Sequence, residues 1–182
     1  MSRLPMPDEA DLSPRQLEVL NTIKSGPRGG VRGPFGAWIR SPELAVIAQE
    51  LGAHVRYRSC LNDRVREVAI CTTAAYLRAQ YEWFAHCRIA LEAGVAESTM
   101  EAIRKGETPA GAEDELQAYA FAQELLETKR VSDATFAKTR EMFGEEGLIE
   151  IVGAIGYYSL VGLTLNVAEV PLPDGVDLPF PE

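Results

Sequence analysis

Arg66-Glu67-Val68-Ala69-Ile70, followed a short way on by Tyr81-Glu82-Trp83-Phe84-Ala85-His86-Cys87, decides how the chain is read. Both pieces are apolar segments of helical periodicity interrupted by ionisable residues. Glu82 and His86 are four residues apart, so on a helix they sit one turn apart on the same face and can share a proton. Glu67 lies nineteen residues before His86, on a preceding apolar helix that can return as an antiparallel neighbour and deliver a second carboxylate. A glutamate bordered by Val68, Ile70 and small residues is costly to bury unless it is paired. Glu67, Glu82 and His86 are therefore the candidate catalytic residues, two acids and one histidine meeting at one point. Burial raises carboxylate pKa values and a neighbouring imidazolium lowers them; the opposed effects can poise a proton donor near neutrality. The plainer alternative is a surface ion pair of little energetic consequence.

Working outward, the chain divides into helices. Ser13-Pro14 places a hydroxyl cap before a first-turn proline and predicts a helix over 14–24, stopped by Ser25-Gly26-Pro27. Ser41-Pro42 repeats the device for a helix over 42–58, whose stripe is Leu44, Ile47, Ala48, Leu51 and Val55. His54 on that helix has no acidic or cysteine neighbour at ligand spacing and reads as a solvated or packed histidine. Asn62-Asp63 caps a helix ending near Arg78, and further helices are predicted over 80–93, 96–105 and 113–129. Ser132-Asp133 caps one that Gly144 breaks at Phe143, and residues 146–169 form a long apolar helix. No strand is predicted, and the fold class is an all-α, single-domain helical bundle. The domain spans 13–170, with an N-terminal arm over 1–12. The four prolines and absent periodicity of 171–182 predict an extended tail that drapes on the body or reaches a neighbouring subunit.

Around the candidate cluster, Tyr81, Trp83, Phe84 and Ile89 supply apolar mass, and Tyr81, Trp83 and Cys71 are expected at the pocket. The stretch from Pro27 to Phe35 packs glycines and prolines with two arginines and must be a loop. It reads either as a surface connection or as a segment placing Arg32 or Phe35 at a pocket, since glycine lets backbone approach a ligand closely. An arginine such as Arg32, Arg56 or Arg66 can hold a substrate carboxylate, and the sequence does not choose among them.

The chain has 182 residues, enough for one domain with a sizeable core. Lys+Arg 18 against Asp+Glu 27 leaves a net charge of −9 with no dense basic run, which argues against a nucleic-acid partner. Cys60, Cys71 and Cys87 form no CxxC pair, and an odd count fits reduced thiols, so the cytoplasm is the expected compartment. The N-terminus lacks the apolar run of a signal peptide. The segment from Leu148 to Val170 approaches a membrane span in length but contains Glu150, Asn166 and Glu169, so a buried core helix is expected and no membrane partner. One histidine without HxH, HxxxH or ExxH spacing is thin support for a metal site, and neither metal nor organic cofactor is expected.

These residues also carry a resemblance. Arg66-Glu67-Val68-Ala69-Ile70, then Tyr81-Glu82-Trp83-Phe84-Ala85-His86, followed by Gly94-Val95 and a short helix, is similar to the carboxymuconolactone decarboxylase and alkylhydroperoxidase D-like superfamily. The likeness is best over 42–106, and the subgroup resembled carries Tyr-Glu-Trp-x-x-His. The resemblance implies an all-helical fold assembling as dimers, trimers or hexamers through the helices that bear the site. A hydrophobic fraction of 46% and a long apolar C-terminal helix point the same way, towards a homo-oligomer.

The family's peroxidase branch implies a relay of a glutamate, a Cys-x-x-Cys pair and a histidine. Glu67 and His86 match its ends, but Ala79 and Glu82 stand where the two cysteines belong. Cys71, one turn from Glu67, is a lone thiol that needs an external reductant. The decarboxylase-like reading needs no thiol. Loss of CO₂ from a carboxylated unsaturated lactone leaves a dienolate, which an enzyme assists by stabilising the charge and supplying a proton. The expected function is acid–base chemistry on a small carboxylated or lactone-like metabolite. The alternatives are alkylhydroperoxidase-like activity through a lone cysteine, or a non-catalytic oligomeric scaffold.

Overall fold

The computed structural model describes residues 1–26 and 30–181; the beginning of the predicted Pro27–Phe35 loop and the last residue of the tail lie outside them. Among the described residues there is no strand, and the chain runs through eight α-helices after a 3₁₀ turn at Glu9–Asp11. These are α1 Pro14–Ser25, α2 Phe35–Trp38, α3 Pro42–Tyr57, α4 Asp63–Tyr76, α5 Gln80–Glu92, α6 Glu97–Lys105, α7 Glu113–Thr128 and α8 Asp133–Ala168.

Local chemistry accounts for most of the boundaries. Ser13 and Gln16 form a reciprocal capping box at the start of α1, whose first residue is Pro14. Asn62 accepts a hydrogen bond from the Val65 amide at 2.9 Å and so satisfies one of the free donors at the start of α4. Ser132 caps α8 through the Thr135 amide. The expected hydroxyl cap at Ser41 is not made: its side chain bonds no helical amide, and Pro42 alone sets the start of α3. Gly144, at φ 71° and ψ 178°, is non-helical and breaks the run where the sequence places the break, so α8 is two helical segments joined across a sharp kink at this residue.

Helix α4 is the centre of the bundle. Ten consecutive residues, Val65 to Ala74, are buried, and α5, α6, α7 and α8 all pack on it, which is why this helix is apolar nearly all round. Two cores flank it. One is built by α4 to α7 with part of α8, around Val68, Met100, Phe121 and Ile151; the other by α1, α2, α3 and α8, around Leu20, Ile39, Val55 and Leu165.

The long helix α8 departs from the expected buried core helix. One side, through Ile151, Ala154, Tyr158, Val161 and Leu165, is buried, while Ile149, Val152, Leu160, Leu163 and Val167 lie exposed at helical spacing on the other. By length and composition it can cross a membrane, yet half of its most apolar window is buried inside the bundle. The tail drapes on the body. Gln80 accepts from the Phe180 amide at 2.9 Å and donates to its carbonyl at 2.7 Å, and the Phe180 ring packs edge-on against Trp83.

Candidate active site

The antiparallel return of α5 along α4 brings the three ionisable residues together. His86 Nδ1 lies 2.6 Å from Glu67 Oε2, and its Nε2 lies 3.1 Å from Glu82 Oε1. All three side chains are buried, Glu67 at 1% exposure. Arg66 places Nε 3.5 Å from the other Glu67 oxygen, an ion pair without hydrogen-bond geometry, and is anchored through Nη2 to Asp63 at 2.8 Å. The carboxylate that was anomalous in an apolar helix is thus paired twice.

Burial opposes a charge on the His86 ring, but the carboxylates of Glu67 and Glu82, through charge and hydrogen bonding, outweigh it and raise the imidazole pKa to about 9. At neutral pH the ring is an imidazolium donating one N–H to each glutamate. The two carboxylates therefore lie on opposite edges of the ring and do not converge on a common point. Among the described residues no group of three or more His, Cys, Asp or Glu is arranged to hold a metal ion.

A cavity of about 630 Å³ opens on this cluster. Glu82, His86 and Tyr81 from α5 form one wall, Tyr157 and Tyr158 from α8 another, and the loop with Arg32, Gly33 and Phe35 a third; Arg56 at the end of α3 and Pro173 of the tail complete it. Gly33 sits at φ 65°, and a Cβ there would meet the Tyr81 ring at 3.5 Å, so this loop needs a residue that tolerates the left-handed region. Glu67 is not on the wall. It reaches the cavity only through the His86 ring, which makes Glu82 the carboxylate a ligand would meet.

Of the residues expected at the pocket, Arg32, Phe35 and Tyr81 line this cavity, whereas Trp83 and Cys71 do not. Residues 81, 82, 85, 86 and 89 share one side of α5, and a helix turns about 100° per residue, so Trp83 faces away together with Cys87 and Ala90. Trp83 instead borders a separate cavity of about 450 Å³ with Cys87, Met100 and Arg104. Cys71 is fully buried in the core around α4. Burial first, and then the nearby Glu67 charge, push its thiol well above the ordinary cysteine value. The half-buried Cys87 thiol is also raised, chiefly by desolvation.

Of the three arginines weighed for a substrate carboxylate, Arg66 is committed to Asp63 and Glu67, while Arg32 and Arg56 face the cavity. Arg58 turns away to Glu50. His54 is paired after all, at 2.6 Å from Glu150 of α8, a partner 96 residues away that no spacing rule finds.

Sequence reasoning missed Tyr158. Its ring meets His86 edge-on with centroids 4.7 Å apart. The residue is 3% exposed, and its hydroxyl has no hydrogen-bond partner among the described residues. A buried hydroxyl left unpaired costs roughly 1–3 kcal/mol. Burial first, and then the Glu82 charge, hold this phenol well above its usual pKa, so it stays protonated. In the sequence the only sign was a tyrosine pair inside an otherwise aliphatic run.

The carboxymuconolactone decarboxylase family model matches residues 42–124, a segment that carries α3, α4, α5 and α6 and with them Glu67, Glu82 and His86. No curated protein sequence matches the chain. Among solved structures, an uncharacterized peroxidase-related protein from Ralstonia eutropha JMP134, described as an alkylhydroperoxidase AhpD core, superposes with a TM-score of 0.77 at 18% identity, over 95% of this chain and 93% of the other. At that identity the likeness is one of fold. The family match thus covers the helices that bear the site, and the chain as a whole shares the helical AhpD-like fold.

Proposed function

We propose that the cavity is the active site of a carboxymuconolactone decarboxylase-like enzyme, a carbon–carbon lyase working by Glu/His acid–base chemistry on a small carboxylated or lactone-like metabolite. The observation that carries this reading is the buried chain Glu67–His86–Glu82, with Glu82 on the cavity wall. In the proposed step the bond between the substrate carbon and its carboxylate breaks, CO₂ leaves, and the electron pair moves into the lactone carbonyl as a dienolate. The Glu82 carboxylate takes the proton of His86 Nε2–H and passes it to the carbon, which leaves the ring neutral until solvent reprotonates it, while Glu67 holds the ring in register and stabilises its charge. One proton is consumed per turnover and solvent replaces it. Arg56 and Arg32 are the cations that fit a second carboxylate of the substrate, since neither pairs with a carboxylate among the described residues.

Thiol-dependent peroxide chemistry has one observation in its favour, the half-buried Cys87 thiol beside a cavity of its own. A panel of carboxylated lactones and aromatic catabolites, assayed for CO₂ release beside hydroperoxides assayed with a thiol reductant, separates the two. CO₂ release that disappears in Glu82→Gln supports the lyase. Hydroperoxide consumption that disappears when Cys71 and Cys87 are replaced, with Glu82→Gln still active, sinks it.

The same reading has the chain working as a homo-oligomer, a dimer, trimer or hexamer. Exposed Ile149, Val152, Leu160, Leu163 and Val167 on α8, together with Leu44, Ile47 and Leu51 on the neighbouring α3, offer the apolar surface that a second copy would cover. Light scattering at micromolar concentration tests it, and a monomer counts against it.

A further inference from the structure

We propose that Tyr158 is a substrate-contacting residue whose phenol donates a hydrogen bond to the substrate oxygen that gains negative charge in the reaction; this rests on the acid–base reading above. The inference starts from a hydroxyl that serves nothing in the protein itself. Tyr158 lines the cavity with Glu82 and His86, is 3% exposed, and its oxygen has no partner among the described residues. A phenylalanine would fill the same space, keep the edge contacts to His86 and to Tyr157, and leave no polar atom stranded. A buried polar group kept without a partner is accounted for when a ligand supplies the acceptor.

The placement suits a developing oxyanion. The proton relay stands on α5 and Tyr158 on α8, so a substrate held between the two helices would meet the proton donor on one side and the hydrogen-bond donor on the other. The ring is fixed before any ligand arrives, wedged edge-on between His86 at 4.7 Å and Tyr157 at 5.0 Å. A donor that needs no reorganisation contributes more to a charge that appears only during the reaction than one that must first be turned into place. The phenol is also a donor at every pH at which His86 is charged, since its own titration is pushed up by burial.

The test compares two ligands by calorimetry at neutral pH, a carboxylated butenolide and the cyclopentene carboxylate of the same ring size, which lacks the lactone carbonyl. Wild-type protein is expected to prefer the butenolide by about tenfold, the value of one good hydrogen bond. Tyr158→Phe should abolish that preference, bind the cyclopentene as the wild type does, and resist denaturant at least as well, because the hydroxyl does nothing for the fold. A preference that survives Tyr158→Phe, no preference in the wild type, or an equal loss for both ligands in the variant overturns the assignment and leaves the lyase reading standing. Wild-type protein that binds neither ligand removes the lyase reading and this assignment together. Should the variant not fold, labelled tyrosine in the wild type answers instead: the Tyr158 ring carbon bearing oxygen must shift on addition of the butenolide and not of the cyclopentene, and an unchanged resonance overturns the proposal.

Discussion

Both histidines of this chain meet a glutamate at 2.6 Å, and the two pairs have little else in common. His54 joins α3 to α8 through Glu150 with 42% of its side chain in solvent. His86 joins α4 to α5 through Glu67 with both groups buried, a second carboxylate on its other nitrogen and a cavity alongside. Distance alone does not distinguish a tie from a site. What differs is what surrounds the pair: water screens the first, so it is worth little, whereas exclusion of water makes each charge of the second dependent on its partner.

The largest effect should appear in turnover. His86→Ala or Glu82→Gln is expected to lower it by a factor on the order of 10² to 10⁴, the usual contribution of a positioned acid or base. His54→Gln should leave it unchanged, and a comparable loss there would erase the distinction between the pairs. Stability comes next. Glu67→Ala strands a buried imidazolium and is expected to cost about 3–5 kcal/mol in urea unfolding. Glu150→Ala, at the pair open to water, should cost no more than about 1 kcal/mol.

The pH dependence sharpens the contrast further. The folded-state pKa of His86 stands above its ordinary 6.5, at about 9. Its contribution to stability is therefore fully present below the unfolded value and is lost as pH rises through the folded one. The denaturation midpoint should fall between those two pH values, and the His86 ring resonances should titrate near the upper one. A Glu67→Gln, Glu82→Gln double variant should flatten that slope. The smallest effect is expected from the thiols. Cys71→Ala with Cys87→Ala should leave turnover within a few-fold, because neither sulfur lines the cavity that holds the relay.

How much of this was legible in the sequence follows the reach of each interaction. The caps at Ser13, Asn62 and Ser132 act within three or four residues and give the helix starts directly. Glu82 and His86 are one turn apart, and Glu67 follows once two adjacent helices are taken as antiparallel. Trp83 was misplaced for want of helical phase: adjacency in sequence was taken for adjacency in space, although residue 83 shares its side of α5 with 87 and 90. Cys71 was misplaced because a short side chain on the same side as Glu67 lacks the imidazole that carries Glu67 to the cavity. Tyr158 and Pro173 join the site from far along the chain, and Glu150 meets His54 across 96 residues. No local rule reaches those contacts, since packing of α8 against α3 and α5 creates them.

The anchored tail has a practical consequence. Between Pro173 at the cavity rim and Phe180 held by Gln80 and Trp83, the chain crosses α5 much as a cord is tied over a post, with Arg104 and Arg78 holding the carbonyls of Pro179 and Pro181 beside the knot. Anything fused to the carboxyl end, an affinity tag or a fluorescent reporter, would tug on that knot and through Pro173 on the mouth of the cavity.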